Sequence, residues 1–266
     1  MSLIKSSGEI SLLRDGGALL SRTLREIREA CIAGVTTGAL DAIARNRFAE
    51  AGGTGSFLGY RIAGKGKPYP GVLCVSLNDE VVHGLPIPDR VIKNGDVVGL
   101  DIGVWWKGLC TDMATTVIVG DADERTRALV ADTRESLVRA LAAVKAGNDI
   151  SQIGETIEDF LKSRKYKYGI VRDLVGHGVG HAVHEDPPIP NFRDARQKPM
   201  AMQAGMVIAI EPMITLGDWR VDQLDDGWTI VTADGSTAAH FEVTVAVTEG
   251  GYELLTPWPD EEESTK

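Results

Sequence analysis

Apolar residues recur at intervals of three and four along four segments, and each segment predicts an amphipathic helix. The first helix is predicted to begin at a capping box, Ser6 to Glu9, and to stop at Gly34, and the second ends near Gly52. Two further helices are predicted within residues 121–161, separated by Gly147. The chain therefore contains two helix pairs, each bounded by glycines that stop a helix.

The two helix pairs coincide when the chain is shifted by 113 residues, which places Leu24 on Leu137. Each pair is followed by apolar, β-prone runs that carry acidic residues. An internal repeat of this kind predicts two α+β halves that face each other across a shared site and are related by a pseudo-twofold axis. We place these halves at about residues 5–120 and 121–256 of a single domain, residues 1–266.

Two apolar runs flank residues 106–108 and predict a hairpin that contains Asp101 and Asp112. If its turn is centred between Trp106 and Lys107, the two aspartates lie opposite each other on one face, with Cβ atoms about 5 Å apart. Two buried carboxylates this close must share a proton, pair with basic groups or hold cations. The paired runs contain no lysine or arginine. We therefore interpret the pair as half of a metal site.

Other apolar runs predict strands at residues 72–76, 170–175, 206–210 and 241–248. Residues 185–205 are rich in proline and charge, which predicts a loop.

His177, Glu211 and Glu242 are further candidate metal ligands. Taken singly, a histidine in a glycine-rich segment is often a hydrogen-bonded core group, and a carboxylate on a strand is usually exposed or ion-paired. Taken together with the two aspartates, they favour a centre of oxygen ligands with one imidazole, which suits Mn²⁺, Fe²⁺, Co²⁺ or Zn²⁺. Four carboxylates match two divalent ions, and such a pair lowers the pKa of water enough for hydrolysis near neutral pH.

Composition narrows the class of protein. The net charge of −10 and the pI near 5.0 argue against nucleic acid as the main partner. The three cysteines form no close pair, and the chain has neither a secretory h-region nor an apolar run near 18 residues. We expect a soluble protein of a reducing cytoplasm that does not insert into membranes.

The candidate ligands lie in longer strings that resemble the methionine aminopeptidases, which have the pita-bread fold. The resemblance extends from about residue 5 to 256. The strings that carry it are NDEVVHGLP, GDVVGLDIGVWWKGLCTDMATTVIVG, GHGVGHAVHEDPPIPNF, AGMVIAIEPM and DGWTIVTADGSTAAHFEVT.

The resemblance implies an enzyme that removes the N-terminal methionine from peptides and nascent proteins, with a small second residue preferred. It implies that Asp101 binds one metal ion, that His177 and Glu211 bind the other, and that Asp112 and Glu242 bridge both. The short separation of Glu211 and Glu242 resembles type I enzymes of the prokaryotic subtype. The family also suggests a monomer.

The resemblance also assigns roles in catalysis and in substrate binding. Glu211 resembles the proton shuttle of the family, His83 the histidine beside the scissile amide, and His184 the one that contacts the substrate peptide. Four positions match the methionine pocket, for which ordinary core packing is the alternative: Tyr60, Tyr69, Cys74 and Trp228.

The chain departs from the family pattern in three places. Phe57 replaces a smaller residue and could narrow the mouth of the pocket. The loop at residues 61–67 is longer than usual, which makes the alignment of Tyr60 less secure. Val243 follows Glu242 where histidine is frequent, and this removes a potential partner of a ligand.

Two alternative functions and one further partner are considered. An X-Pro aminopeptidase or dipeptidase shares the fold but usually has a large N-terminal domain, and a non-catalytic pita-bread binding protein would be expected to lose metal ligands. A cluster of basic residues is more typical of a solvated helix end, although it could dock on the ribosome: Lys162, Arg164, Lys165 and Lys167.

Overall fold

The computed structural model describes residues 2–61 and 66–260, and helices form where the sequence predicts them. Their bounds are Ser7–Ala30 for α1, Thr37–Ala51 for α2, Glu124–Leu141 for α3 and Ser151–Lys162 for α4. The capping box of α1 is confirmed, since Ser6 accepts from the backbone of Glu9 and the Glu9 side chain accepts from Ser6. Residues 62–65 of the predicted long loop and residues 261–266 of the acidic tail lie outside the described residues.

Two helices end earlier than predicted. α1 and α3 stop at Ala30 and Leu141, and the residues before Gly34 and Gly147 form tight turns instead. Both glycines have positive φ angles, so they do lie where the chain reverses.

The strands pair in antiparallel sheets, and the helices pack against them. In chain order they are β1 Thr54–Gly55, β2 Leu73–Leu77, β3 Glu80–Val82, β4 Val97–Trp106, β5 Leu109–Ile118, β6 Gly169–Ile170, β7 Gly176–Gly178, β8 Glu185–Ile189, β9 Val207–Ile210, β10 Met213–Thr215, β11 Val221–Gln223, β12 Ile230–Thr232, β13 Ala238–His240, β14 Val243–Val247 and β15 Tyr252–Leu254. β4 pairs with β1, β2 and β5, whereas the largest sheet has the order β15-β14-β9-β7-β8.

The predicted hairpin forms, but its predicted register is wrong by two residues. Asp101 lies opposite Ala114, and Asp112 lies opposite Gly103. The turn is centred on Lys107 and Gly108, whose φ angles of 49° and 87° suit a two-residue turn with two left-handed positions. A shift of two keeps every side chain on its face, so the two aspartates are diagonal neighbours on the same face.

Two other strand predictions need correction. The segment at 185–205 contains β8, which lies at the edge of its sheet, where prolines are tolerated because the outer backbone groups need no partner strand. The strand predicted at residues 170–175 is confined to β6. Beyond β6 the Val171 amide still donates to the Met213 carbonyl at 3.0 Å, and residues 173–175 then line a cavity.

Each helix pair covers one sheet and forms its own apolar core. Leu24, Leu40 and Phe48 pack with Leu100 and Ile102 in the first half of the chain. The matching core of the second half is built from α3, α4, β9 and β14, with Leu137, Ile157, Ile210, Val243 and Val245 among its members. A third apolar cluster joins residues from both parts of the chain, such as Cys74 and Ala209. The division of the domain into two related halves stays a prediction.

In the described part of the chain, we find no helix with the length and apolar character needed to cross a membrane.

Candidate active site

The sheet that contains β5 meets residues 240–244, which run antiparallel to β5. Ala114 and Glu242 exchange backbone hydrogen bonds of 3.2 and 3.0 Å. On one side of this pair, the Thr244 hydroxyl accepts from the Asp112 amide and donates to the Asp112 carbonyl. On the other side, Thr116 makes the equivalent two bonds with the backbone of residue 240. Threonine side chains therefore continue the ladder that the backbone begins.

Strand alternation directs the acidic side chains into this seam. Leu100 and Ile102 belong to the helix-facing core, so Asp101 between them faces the other half of the molecule. In the second half, Phe241 and Val243 belong to the apolar core on either side of Glu242. Residue 243, where a histidine was expected to contact a ligand, therefore faces away from the site. Valine at this position leaves no gap beside the carboxylates.

The structure brings all five sequence-predicted ligands to one cavity. The His177 Nε2 atom lies 3.4 Å from Glu211 Oε1 and 3.9 Å from Glu242 Oε1. Asp112, His177 and Glu242 each offer one ligand atom, and these atoms lie within 4.8 Å of one another. Asp101 lies directly across from Cys74 of β2 and lines the same cavity.

The carboxylates cannot all be charged here without a compensating group. Burial, reinforced by the neighbouring acids, raises the pKa values of Asp101, Glu211 and Glu242 well above their ordinary range. Burial raises the pKa of Asp112 to about 7. Burial lowers the pKa of His177 to about 3, so this imidazole stays neutral and can act as a ligand.

Unpartnered oxygen atoms show that these residues fit divalent cations. Within the described residues, Asp101 Oδ1, Asp112 Oδ1 and Glu242 Oε1 are buried and accept no hydrogen bond. Buried acceptors without partners are rare because their desolvation is costly, and cations would satisfy them. The candidate ligand atoms are carboxylate oxygens and an imidazole nitrogen. The nearby Cys74 thiol is a poor ligand, because burial raises its pKa well above its ordinary value and keeps it protonated.

His83 and His184 line the same cavity as the acidic cluster. His83 has a φ angle of 60°, a left-handed conformation that is uncommon outside glycine and often occurs at functional sites. Burial, with a smaller effect of His184, lowers the pKa of His83 to about 4. The His184 ring packs 4.4 Å from the His177 ring, and its Nδ1 atom lies 2.7 Å from the Tyr60 hydroxyl.

Aromatic side chains form an apolar pocket beside the carboxylates. The Tyr69 and Trp228 rings meet edge to face at 5.1 Å, and the Trp228 indole donates to the Lys67 carbonyl. Phe57 packs edge to face on Tyr69 and lines the same cavity, as does Cys74. The cavity has a volume of about 380 Å³, enough for an amino acid with part of its neighbour.

The four positions predicted for the methionine pocket all line this cavity: Tyr60, Tyr69, Cys74 and Trp228. Gly59 and Tyr69 are joined by a backbone hydrogen bond, as are Tyr69 and Tyr60, so both ends of the 61–67 loop are held together. Tyr60 thereby reaches His184.

Sequence reasoning missed several residues of the site. The imidazole of His240 lies behind Glu211, with Nε2 3.7 Å from Glu211 Oε2. Its position two residues before Glu242 was an available signal, since residues i and i+2 of an extended segment share a face. No periodicity pointed to the other unpredicted residues, which line the cavity: Val82, Asp173, Leu174, Val175 and Met213.

Comparison with known proteins places these features in a family. Residues 11–249 match metallopeptidase family M24. A methionine aminopeptidase of Clostridium perfringens is 41% identical over 256 residues, which cover 96% of this chain and 99% of the relative.

Solved structures agree with the sequence match. The crystal structure of a methionine aminopeptidase from Thermotoga maritima superposes with a TM-score of 0.89 at 41% identity, covering 95% of this chain and 98% of that one. A Xaa-Pro dipeptidase from Bacillus anthracis shares the fold, with a TM-score of 0.75 at 22% identity, and covers 97% of this chain and 63% of the dipeptidase. The α+β architecture is thus the pita-bread fold, and the chain belongs to metallopeptidase family M24.

Proposed function

We propose that this protein is a methionyl aminopeptidase that removes N-terminal methionine from peptides and nascent proteins, preferably before a small second residue. One observation carries the proposal: four carboxylates, three of them buried, and a neutral imidazole share a cavity with an aromatic, thiol-containing pocket. Near-full-length similarity to methionine aminopeptidases supports the choice of substrate.

The acidic cluster would hold two divalent cations. Asp101 would bind one ion, His177 and Glu211 the other, and Asp112 with Glu242 would serve both. When bound, such ions supply Lewis acidity and lower the pKa of water. Co²⁺, Mn²⁺, Fe²⁺ and Zn²⁺ all suit this donor set.

The remaining polar groups would orient the substrate and move protons. His83 and His184 line the cavity, and as neutral imidazoles they would hydrogen-bond to the scissile amide and to the peptide that follows it. Glu211 is 13% exposed at the cavity wall, which suits a carboxylate that accepts a proton from water and delivers it to the leaving amine.

The pocket explains why methionine at the N-terminus would be selected. Tyr69, Trp228 and Cys74 offer an apolar, polarisable surface to a thioether side chain. As the family resemblance implies, the free amino group of the substrate would reach the bound cations, which would limit cleavage to the first residue.

A peptide panel with a metal assay tests the proposal. We expect the purified protein to contain or take up about two divalent ions per chain and to release methionine from Met-Ala-Ser, while N-acetyl-Met-Ala-Ser, the matched control, stays intact. Cleavage of X-Pro peptides alone would favour a dipeptidase. Absence of both metal uptake and cleavage would favour a binding protein and overturn the proposal.

The basic cluster at residues 162–167 gives little support to ribosome docking. Lys162, Arg164 and Lys165 form ion pairs with Glu158, Asp132 and Glu124, which reduces the local positive field. Docking there, a monomeric state and a cytoplasmic location stay predictions. Charge reversal of Lys167 with unchanged ribosome co-sedimentation would argue against docking.

A further inference from the structure

His240 is a buried imidazole beside the acidic cluster that the proposed function leaves without a role. The residue is 3% exposed, and its Nε2 atom has no hydrogen-bond partner among the described residues. Burying an imidazole nitrogen without a hydrogen-bond partner costs free energy, so the position of this nitrogen calls for a functional explanation.

The fold fixes where this imidazole lies. β13 pairs with β10, which places His240 opposite Met213. The Thr116 hydroxyl accepts from the His240 amide at 3.0 Å and donates to its carbonyl at 2.7 Å. With both backbone groups held, the imidazole has little freedom beyond rotation of its own side chain.

The two oxygen atoms of Glu211 face two different imidazoles. Oε1 lies 3.4 Å from His177 Nε2, on the side of the acidic cluster, and Oε2 lies 3.7 Å from His240 Nε2. The second distance exceeds a normal N–H···O hydrogen bond of about 2.9 Å, so a modest side-chain rotation would form one.

We propose that His240 is a positioning residue for Glu211. Its Nε2–H group donates to Glu211 Oε2 in the loaded enzyme and holds Oε1 toward His177 and the cations. This inference rests on the proposed metal centre. The imidazole that contacts a ligand would then be His240, which shares a face with Glu242. Residue 243, in contrast, faces the apolar core.

Three substitutions of His240 test this role, because their side chains differ in reach and in the ability to donate a hydrogen bond. His240→Gln keeps an N–H donor of similar reach, His240→Asn shortens the reach by one methylene, and His240→Leu removes the donor. Co²⁺ is titrated calorimetrically into each metal-free protein, and the visible absorption of the bound Co²⁺ and the kcat and KM for Met-Ala-Ser are recorded. His181→Leu is the control, because this histidine pairs with Glu9 outside the centre.

We expect the asparagine and leucine variants to raise the Kd for Co²⁺ by about 10–100-fold, as loss of a ligand's hydrogen-bond partner does, and to lower kcat more than they raise KM. The glutamine variant and the His181→Leu control should stay within about threefold of wild type. If the leucine variant does not fold, the comparison of glutamine with asparagine decides.

Wild-type affinity and spectrum in the asparagine variant would overturn the inference. Equal losses in the glutamine and asparagine variants would also overturn it, since they would indicate direct ligation by imidazole. Failure of the wild-type protein to bind Co²⁺ or to cleave Met-Ala-Ser would instead refute the proposed function, so the two failures are distinguishable.

Discussion

Individual side chains in the acidic cluster are held in an unfavourable state that a ligand would relieve. Asp112 shows this most directly: it is 3% exposed, its Oδ1 atom has no partner, and burial raises its pKa to about 7. Carboxylates persist in such surroundings because their charge is needed when cations are present.

Asp112→Asn distinguishes the effect of this residue on stability from its effect on metal binding and activity. We expect metal uptake to fall and kcat/KM for Met-Ala-Ser to drop at least about 100-fold, because a carboxylate that we propose to serve both ions is lost. The metal-free variant should gain about 1–3 kcal/mol in unfolding free energy at pH 8, measured by urea titration, because a buried charge is removed. Asp222→Asn on the exposed strand β11 should change none of the three quantities.

Retained turnover in Asp112→Asn would refute the role of this residue, whatever its stability.

His83 should affect rate without affecting metal content. We expect His83→Ala to retain wild-type metal stoichiometry but to lose about 10²–10⁴-fold in kcat, the usual contribution of a positioned proton-transfer or hydrogen-bonding group. Metal analysis and steady-state kinetics on the same preparation check this, with His181→Ala as the matched control. Loss of metal together with rate would place His83 among the ligands instead.

At the scale of elements, the site depends on how β5 joins residues 240–244. Thr116 and Thr244 replace backbone pairing on either side of Ala114 and Glu242. The backbone positions of Asp112 and Glu242, which are distant in the sequence, are thus linked through buried hydroxyl groups.

Thr244→Val removes one of these links without changing the side-chain volume much. We expect a loss of about 1–3 kcal/mol in unfolding free energy, because the buried amide and carbonyl of Asp112 both lose a partner. Thr54→Val, on an exposed strand position, should be neutral. A Thr244→Val protein as stable as wild type in urea would show that the backbone is satisfied in another way.

The capping box gives a second prediction at this scale. Ser6→Ala should destabilise the protein by about 1 kcal/mol, because the Glu9 amide loses its side-chain acceptor at the start of α1. The neighbouring Ser7→Ala is the control, since Ser7 lies inside the helix and is exposed. Equal midpoints of thermal unfolding for the two variants would contradict the assignment of the cap.

The whole molecule carries a net charge of −10, and its buried acids add a pH dependence that the surface charge does not predict. In the metal-free protein, the raised pKa values mean that folded Asp101, Asp112, Glu211 and Glu242 keep protons that the unfolded chain has lost. The buried histidines act in the opposite direction below their ordinary pKa, because only the unfolded chain protonates them.

Between about pH 6.5 and 8.5 the histidine effect fades, and the folded state binds more protons than the unfolded state. The unfolding free energy of the metal-free protein should therefore fall as pH rises through this range, as measured by urea titration in chelator. Protein loaded with Co²⁺ should show the opposite trend, since cation binding requires deprotonated ligands. A metal-free stability that rises with pH would contradict the carboxylate assignment.

Local patterns were sufficient to predict the helices and the faces of the strands. The capping box at Ser6 and the left-handed glycine at Gly52 involve neighbouring residues, so their outcome depends little on the rest of the fold. The face of Asp101 was predicted even though the hairpin register was wrong, because a shift of two preserves the alternation. β8 was missed because the prolines masked an edge strand.

The sequence alone determined the helix pairs, the inward faces of the acidic residues and, through resemblance, the candidate ligands. Tertiary structure alone decided the register between β5 and residues 240–244, and the approach of His240 to Glu211. The physical reason is that β5 and residues 240–244 are more than a hundred positions apart in the chain. Their pairing is set by the packing of both cores, which no local period records.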